Sequence, residues 1–359
     1  HAVPDPPRHT PLPSPLAVSS LSAQGADYYW DINGVTANGD GSGVWRGGSG
    51  TACWSTSSAG TVTTGTWRDV GTVYGTVLAG TATVQFGFGP APGNTTTGGT
   101  IGLGNTTTTA NMVTCGAIIF NASGTTGYYL SNQVGNPNVC TVTITGSGAN
   151  GVSAGTGILL NSTITGDVTF GKYNNGSGGT GTNVNNDGTA SIVLAKSQTW
   201  TNNSTSYGLN VQGPVSGAFA LTTNGPGTVT LGGANTFSGL TVGAGTVRLT
   251  NASAAGSGSL TVSSGGNLNV LAAITKNIAN SGTVTIGPSG SLATTSFGSG
   301  ALSLAGASGS TAAFSNTGGS ALNGLSAVTL GGNSNLGFSL TTGLASVGGV
   351  SISGANNLL

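Results

Sequence analysis

The sequence predicts an all-β chain wound as a right-handed parallel β-solenoid, or β-helix, and three observations carry that expectation. First, 67 of the 359 residues are glycine, while only seven are basic and seven acidic, and every acid is Asp. Surface helices normally carry Lys and Glu on their wet face, so a chain without Glu is poorly suited to them. Second, polarity alternates with period two in short runs broken by Gly, Asn and Ser, which is the pattern of strands buried on one face. Examples are 228–231, 246–249, 259–262, 267–270, 283–286, 301–304, 327–330 and 349–352, whereas no 3.6-residue pattern survives for two turns. Third, the runs recur at irregular intervals and each is too short to bury its single apolar face alone. Stacked coils with loops of variable length solve that problem. A β-sandwich is the alternative fold, disfavoured because the last 130 or so residues hold more short strands than one sandwich accommodates.

The net charge of zero removes the electrostatic footprint of a nucleic-acid binder. An apolar share of 36% is enough for a core, yet no stretch approaches the roughly 20 consecutive apolar residues of a membrane-spanning helix. The expectation is therefore a chain with no nucleic-acid partner and no membrane insertion. It starts at His1 with no charged and apolar leader pattern, which reads as the mature product of a processed, exported precursor.

Taken in order, residues 1–26 form a Pro-rich extended arm holding six of the twelve prolines. Pro11, Pro13 and Pro15 alternate, so the N–H groups of Thr10, Leu12, Ser14 and Leu16, and onward to Val18, can face one side. That spacing suits an edge strand donating to one neighbour, and equally a polyproline spacer. Residues 27–110 hold four of the five tryptophans, beginning with Tyr28, Tyr29 and Trp30 flanked by Asp27 and Asp31. A Trp-rich cap over the first coil is the plain reading, and a sugar-stacking platform the functional one. Residues 111–359 form the solenoid, with Val229, Leu231, Val247, Leu249, Leu260, Val262, Val284 and Ile286 expected inside and Thr, Ser and Asn stacked in rows outside. At 20 to 30 residues per coil, residues 70–359 should give a rod on the order of 45 to 70 Å. The last alternating run, with Val350 and Ile352, carries no charged or amphipathic cover and reads as a template for another chain.

Residues 225–270 carry a recognisable pattern: Gly-Pro-Gly-Thr-Val-Thr-Leu-Gly-Gly-Ala-Asn-Thr-Phe-Ser-Gly-Leu-Thr-Val-Gly-Ala-Gly-Thr-Val-Arg-Leu, then Gly258-Ser-Leu-Thr-Val-Ser-Ser-Gly-Gly-Asn-Leu-Asn-Val270. This closely resembles the autotransporter-associated β-strand repeat, also called the passenger-associated transport repeat, of bacterial secreted β-helix proteins. The linker at Ser238-Gly-Leu-Thr is one residue shorter than the family's usual one. The aromatic opening Tyr28-Tyr-Trp-Asp31 with Asn33-Gly34, Trp45, Trp54 and Trp67 is similar to the Trp-rich start of large proteins carrying that repeat. The resemblance implies architecture and export, and no particular activity. No strands of about ten residues with aromatic girdles occur, so a self-secreting membrane barrel is not read from this sequence.

The search for chemistry gives little. Both histidines, His1 and His9, lie in the arm, so no histidine base serves the body. Asp167 and Asp187, near Lys172, are the paired carboxylates a β-helix glycosidase or lyase would need, against a plain role in capping turns. Gly178-Gly-Thr-Gly-Thr-Asn-Val echoes a calcium-binding β-roll unit, but Asn183 stands where the carboxylate belongs. Asp31, Asn33, Asn38 and Asp40 form the better oxygen cluster for a cation, or ordinary turns. Cys53, Cys115 and Cys140 match no zinc spacing; a bridge from Cys115 to Cys140, each in a β-like run, is one reading and unpaired thiols the other. Asn-x-Ser/Thr triplets at Asn94, Asn105, Asn121, Asn161, Asn175, Asn203 and Asn251 are candidate glycosylation sites in a chain where such triplets also arise by composition. No cofactor and no catalytic residue is expected.

Three functions compete. An extracellular or cell-surface solenoid could self-assemble head to tail into a filament or layer, with copies of itself as partner. A monomeric passenger-type adhesin could bind a surface polysaccharide, and a β-helix enzyme could cleave one. The missing Glu and body His weigh against the enzyme.

Overall fold

The computed structural model describes residues 189–287 without a break. Outside that span it describes 27–30, 43–45, 54–55, 72–73, 77–78, 82–86, 100–103, 112–121, 127–131, 140–147, 153–171, 290–294, 301–304, 311–316, 328–330, 335–340 and 350–352. All secondary structure among these residues is strand, and the strands stack in register into three parallel ladders.

The first face begins at Gly43–Val44 and Thr100–Gly102 and continues through Tyr128–Ser131, Val168–Phe170, Leu209–Val211 and Thr228–Leu231. It then takes residues 246–249, 267–270, Thr283–Ile286, Ala301–Leu304, Val328–Leu330 and Val350–Ile352. From Thr100–Gly102 onward, within the span 70–359, ten steps of about 4.8 Å make this ladder about 48 Å long, inside the expected range. The second face runs from Asp27–Trp30 through Thr83–Phe86, Ala117–Phe120, Thr156–Leu160, Gln198–Asn202 and Ala220–Asn224 to 239–242, 259–262 and Ile278–Asn280. The third face is built in two pieces, one from Met112–Cys115 to Val215–Ser216 and one from Ala273–Thr275 to Asn335–Leu340.

Four described strands are longer than the four or five residues expected of each: Thr311–Asn316 and Asn335–Leu340 have six, and two more turn a corner. Gly239–Leu249 and Ser259–Val270 each supply the second face with their first half and the first face with their second. A register shift between Val242 and Ala244, with Gly245 at φ 67°, turns the corner without ending the strand. Among the described residues two strand pairs are antiparallel: Asp27–Trp30 with Trp54–Ser55, and Thr72–Val73 with Val77–Leu78.

Coil length departs from the expected 20 to 30 residues on both sides. Register steps on the first face are 20 from Leu209 to Val229, 18 to Val247, 21 to Leu268 and 16 to Val284. Before that, Tyr128 to Val168 is 40 and Val168 to Leu209 is 41. Tight glycine corners allow the short coils, and insertions between strands lengthen the early ones.

Period-two alternation places every expected core residue inside: Val229, Leu231, Val247, Leu249, Leu260, Val262, Val284 and Ile286 are all buried. Each fully buried aliphatic side chain contributes about 1.5 to 3 kcal/mol relative to exposure. Outward rows hold polar residues, as in the threonine column Thr199, Thr222, Thr241 and Thr261. At the start of the solenoid the inward residues are aromatic: Trp45, Trp54 and Phe86 form a cluster with ring centroids 5.2 to 5.6 Å apart. Phe86 stacks on Phe120 at 5.1 Å, and Phe120 meets Phe170 edge-on.

Between the two pieces of the third face, side chains replace strand bonds. Asn235, 3% exposed, accepts from the Val215 N–H through Oδ1 and donates through Nδ2 to the Ala254 carbonyl. One amide thus ties three successive coils, using the same donor and acceptor pair that a backbone rung would supply.

One inward position is mismatched. Thr223 lies in the column between Trp200 and Val242, is 1% exposed, and its Oγ1 has no partner. Valine keeps the shape and removes the orphaned hydroxyl, so Thr223→Val should stabilise the chain by about 1 to 2 kcal/mol. A higher denaturation midpoint at unchanged slope is the expected reading; a lower midpoint means the hydroxyl is partnered.

Candidate functional site

Residues 10–18 of the arm, with Thr10, Leu12, Ser14, Leu16 and Val18, lie outside the described residues, as do the oxygen cluster Asp31, Asn33, Asn38 and Asp40, the stretch 178–184, Asp187 and Cys53. Among the described residues no three of His, Cys, Asp and Glu gather in one place.

At the other end, Val350–Ile352 pairs in parallel with Val328–Leu330, with Val350 opposite Val328 and Ile352 opposite Leu330. Among the described residues no strand lies against its second edge.

Asp167 is exposed and serves the coil above it. One carboxylate oxygen accepts from the Gly208 N–H at 2.7 Å and the other from Asn210 Nδ2 at 3.4 Å. That is the turn-capping role, carried across coils. Trp45 and Trp54 are fully buried, and Trp54 Nε1 donates to the Trp45 carbonyl at 3.0 Å. Neither presents a face to a sugar, so a stacking platform built on these two is ruled out.

A Cys115 to Cys140 bridge is also ruled out, because Cys115 is a free, buried thiol. The reason is register. Cys115 stands opposite Ile144 and Thr141 opposite Met112, so the two cysteines sit on adjacent strands but four residues apart. At 3.3 Å per residue that is about 13 Å, far beyond the reach of a disulfide. Burial pushes the Cys115 thiol well above its ordinary pKa and makes it unreactive. In a Cys53→Ser chain, a thiol reagent should titrate no cysteine before unfolding and two after it; none after unfolding would restore the bridge.

The Asn-x-Ser/Thr triplets have a structural use that the sequence reading missed. Asn121, Asn161 and Asn203 each follow a second-face strand, and their N–H groups donate to Phe86, Phe120 and Leu160 of the preceding coil. Asn161 Nδ2 donates to Asn121 Oδ1 at 2.7 Å, and Asn121 Nδ2 to Gln85 Oε1 at 3.2 Å. The Thr163 hydroxyl donates to the Asn121 carbonyl. Asn251 Oδ1 accepts from the Ser253 N–H at 2.9 Å, closing an Asx turn. The amide nitrogens of Asn121 and Asn161, where a glycan would attach, are thus spent within the corner ladder. Asn94, Asn105 and Asn175 lie outside the described residues. The signal was present in the sequence as an Asn placed directly after Phe120, Leu160 and Asn202.

The corner ladder ends on a carboxyl group. Gln85, which accepts from Asn121, hydrogen-bonds the side chain of Asp27, and Asp27 Oδ1 is buried without a partner. Burial raises the Asp27 pKa above its ordinary value, with the Gln85 hydrogen bond opposing. Burial, with the Asp27 charge beside it, also raises the Tyr29 pKa and keeps that phenol neutral.

No family model matches the chain, no curated protein matches it, and no solved structure matches it.

Proposed function

We propose that the chain is a structural protein: an extracellular, right-handed solenoid of the autotransporter-associated-repeat type that assembles head to tail with copies of itself into a filament or surface layer. The observation that carries this reading is the first-face ladder, in which strands pair in parallel from Gly43–Val44 to Val350–Ile352 and so repeat one backbone pattern along a single axis. A heterologous contact that continued such a ladder from one chain to the next would repeat indefinitely unless rotation closed it into a ring. The reading assigns no catalytic role, and it gives the arm at 1–26 the task of docking along the neighbouring subunit. Outward rows made largely of Thr, Ser and Asn, with Arg248 the charged member of the first-face row, suit close lateral packing with little like-charge repulsion.

Negative-stain microscopy of the purified chain tests it. Filaments or sheets are expected, together with their loss, at unchanged β content, on deleting residues 1–26. Isolated rods at high concentration would contradict assembly and favour a passenger-type adhesin; filaments that survive the deletion would contradict the arm's role.

A further inference from the structure

The start of the second face is fastened through polar groups outside and aromatic groups inside. Strand Asp27–Trp30 lies between Thr83–Phe86, parallel to it, and Trp54–Ser55, antiparallel. Outside, donors run in one direction along the axis: Asn161 to Asn121, Asn121 to Gln85, and Gln85 to the Asp27 carboxyl. Aligned hydrogen bonds of this kind polarise one another. Their acceptor terminus is half satisfied, because Asp27 Oδ1 is buried and has no donor.

We propose that Asp27 is a proton-operated fastener of the first coil: a proton taken from solvent by the bare buried oxygen removes an uncompensated charge and tightens the seam between Asp27–Trp30 and Thr83–Phe86. Among the described residues the groups facing it are few. On its own strand Tyr29 is neutral, and neither Thr83–Phe86 nor Trp54–Ser55 carries a charged residue. An ionised Asp27 is left with one amide hydrogen bond and no counter-charge among these strands, which is the costly state of a partly buried carboxylate.

The sign follows from linkage. The folded chain holds this proton more strongly than the unfolded chain, so stability from Asp27 is fully present below its ordinary carboxylate range. It is lost as pH rises through the raised folded value. Asp27 therefore makes the first coil firmer below the ordinary carboxylate range than at neutral pH.

Hydrogen exchange of the full chain, corrected for intrinsic rates, reads this locally. At about pH 3.5, below the ordinary carboxylate value, peptides covering 27–30 and 83–86 should exchange several-fold more slowly than at about pH 7.5, while peptides covering 228–231 should show no such difference. Asp27→Asn should abolish the pH dependence and give, at neutral pH, the protection of the wild type in acid. Gln85→Leu, which removes the one donor, should steepen the dependence. The proposal is overturned if Asp27→Asn keeps the wild-type pH difference, if the wild-type seam loosens in acid, or if Gln85→Leu leaves the difference unchanged.

Discussion

Replacing Gly245 by alanine destabilises the solenoid by about 3 to 5 kcal/mol. Two costs add. Gly245 has φ 67°, a left-handed conformation that costs an L-residue about 1 to 2 kcal/mol. A Cβ there would also sit 2.2 Å from the Gly225 carbonyl oxygen and 2.6 Å from that of Gly227. Both are backbone atoms of the adjacent coil, so no side chain can swing aside and the coils themselves must part. The site recurs along one corner, since Gly225 faces the Asn202 carbonyl at 2.3 Å and Gly266 faces that of Val242 at 2.3 Å. Chemical denaturation checks the magnitude. A loss below about 1 kcal/mol would mean the corner is loose and the coils are not in contact there.

Asn202→Leu should cost about 3 to 6 kcal/mol, although leucine is the residue the neighbouring coil has at the same place. Asn202 stands opposite Leu160 in the second-face ladder, yet it is fully buried and hydrogen-bonded on both sides of its amide. Its Nδ2 donates to the carbonyls of Tyr207 and Thr228 at 2.9 Å each, and its Oδ1 accepts from the Ser204 N–H at 2.9 Å. Leucine restores apolar packing but orphans three backbone groups, each costing about 1 to 3 kcal/mol when buried. Those groups are the turn between Asn202 and Leu209 and the start of the next first-face strand, so the loss should appear as faster hydrogen exchange at 203–211 and 228–231. Unchanged exchange there would assign the interior Asn no role in closing the corner.

The core was legible because period two is a local property: Val229, Leu231 and their fellows can be assigned to the inside from the four residues around them. Pairing was not legible, since it depends on how many residues intervene between strands, and that number varies on the first face from 16 at Leu268 to Val284 to 58 at Gly43 to Ile101. The Cys115 to Cys140 bridge failed for the same reason: neighbouring strands can be read from sequence, but a four-residue offset between them cannot. Asn202 was not singled out in the sequence: its alternation with Trp200 marks it as inward, while Asn ordinarily marks a turn. The triplets at Asn121 and Asn161 were visible as motifs, and their use as a corner ladder shows only once coils separated by 40 residues lie in contact. Asp27 stood out only as a flank to the aromatic pair. Its meaning depends on Gln85, 58 residues later in the chain and brought beside it by the second coil.

The central claim is that distance along the axis counts coils and not residues, and electron-spin distance measurement tests it most directly. Asn210 and Ser303 are five rungs apart on the first face, through Thr230, Arg248, Asn269 and Thr285. Thr169 and Thr285 are also five rungs apart, although 116 residues separate them against 93 for the first pair. Spin labels at either pair should report the same separation, about 24 Å between backbones, and labels at Asn210 and Thr285 one rung less, about 19 Å. Two five-rung pairs that differ by more than one rung, or separations that grow with the number of intervening residues, would contradict the stacked solenoid.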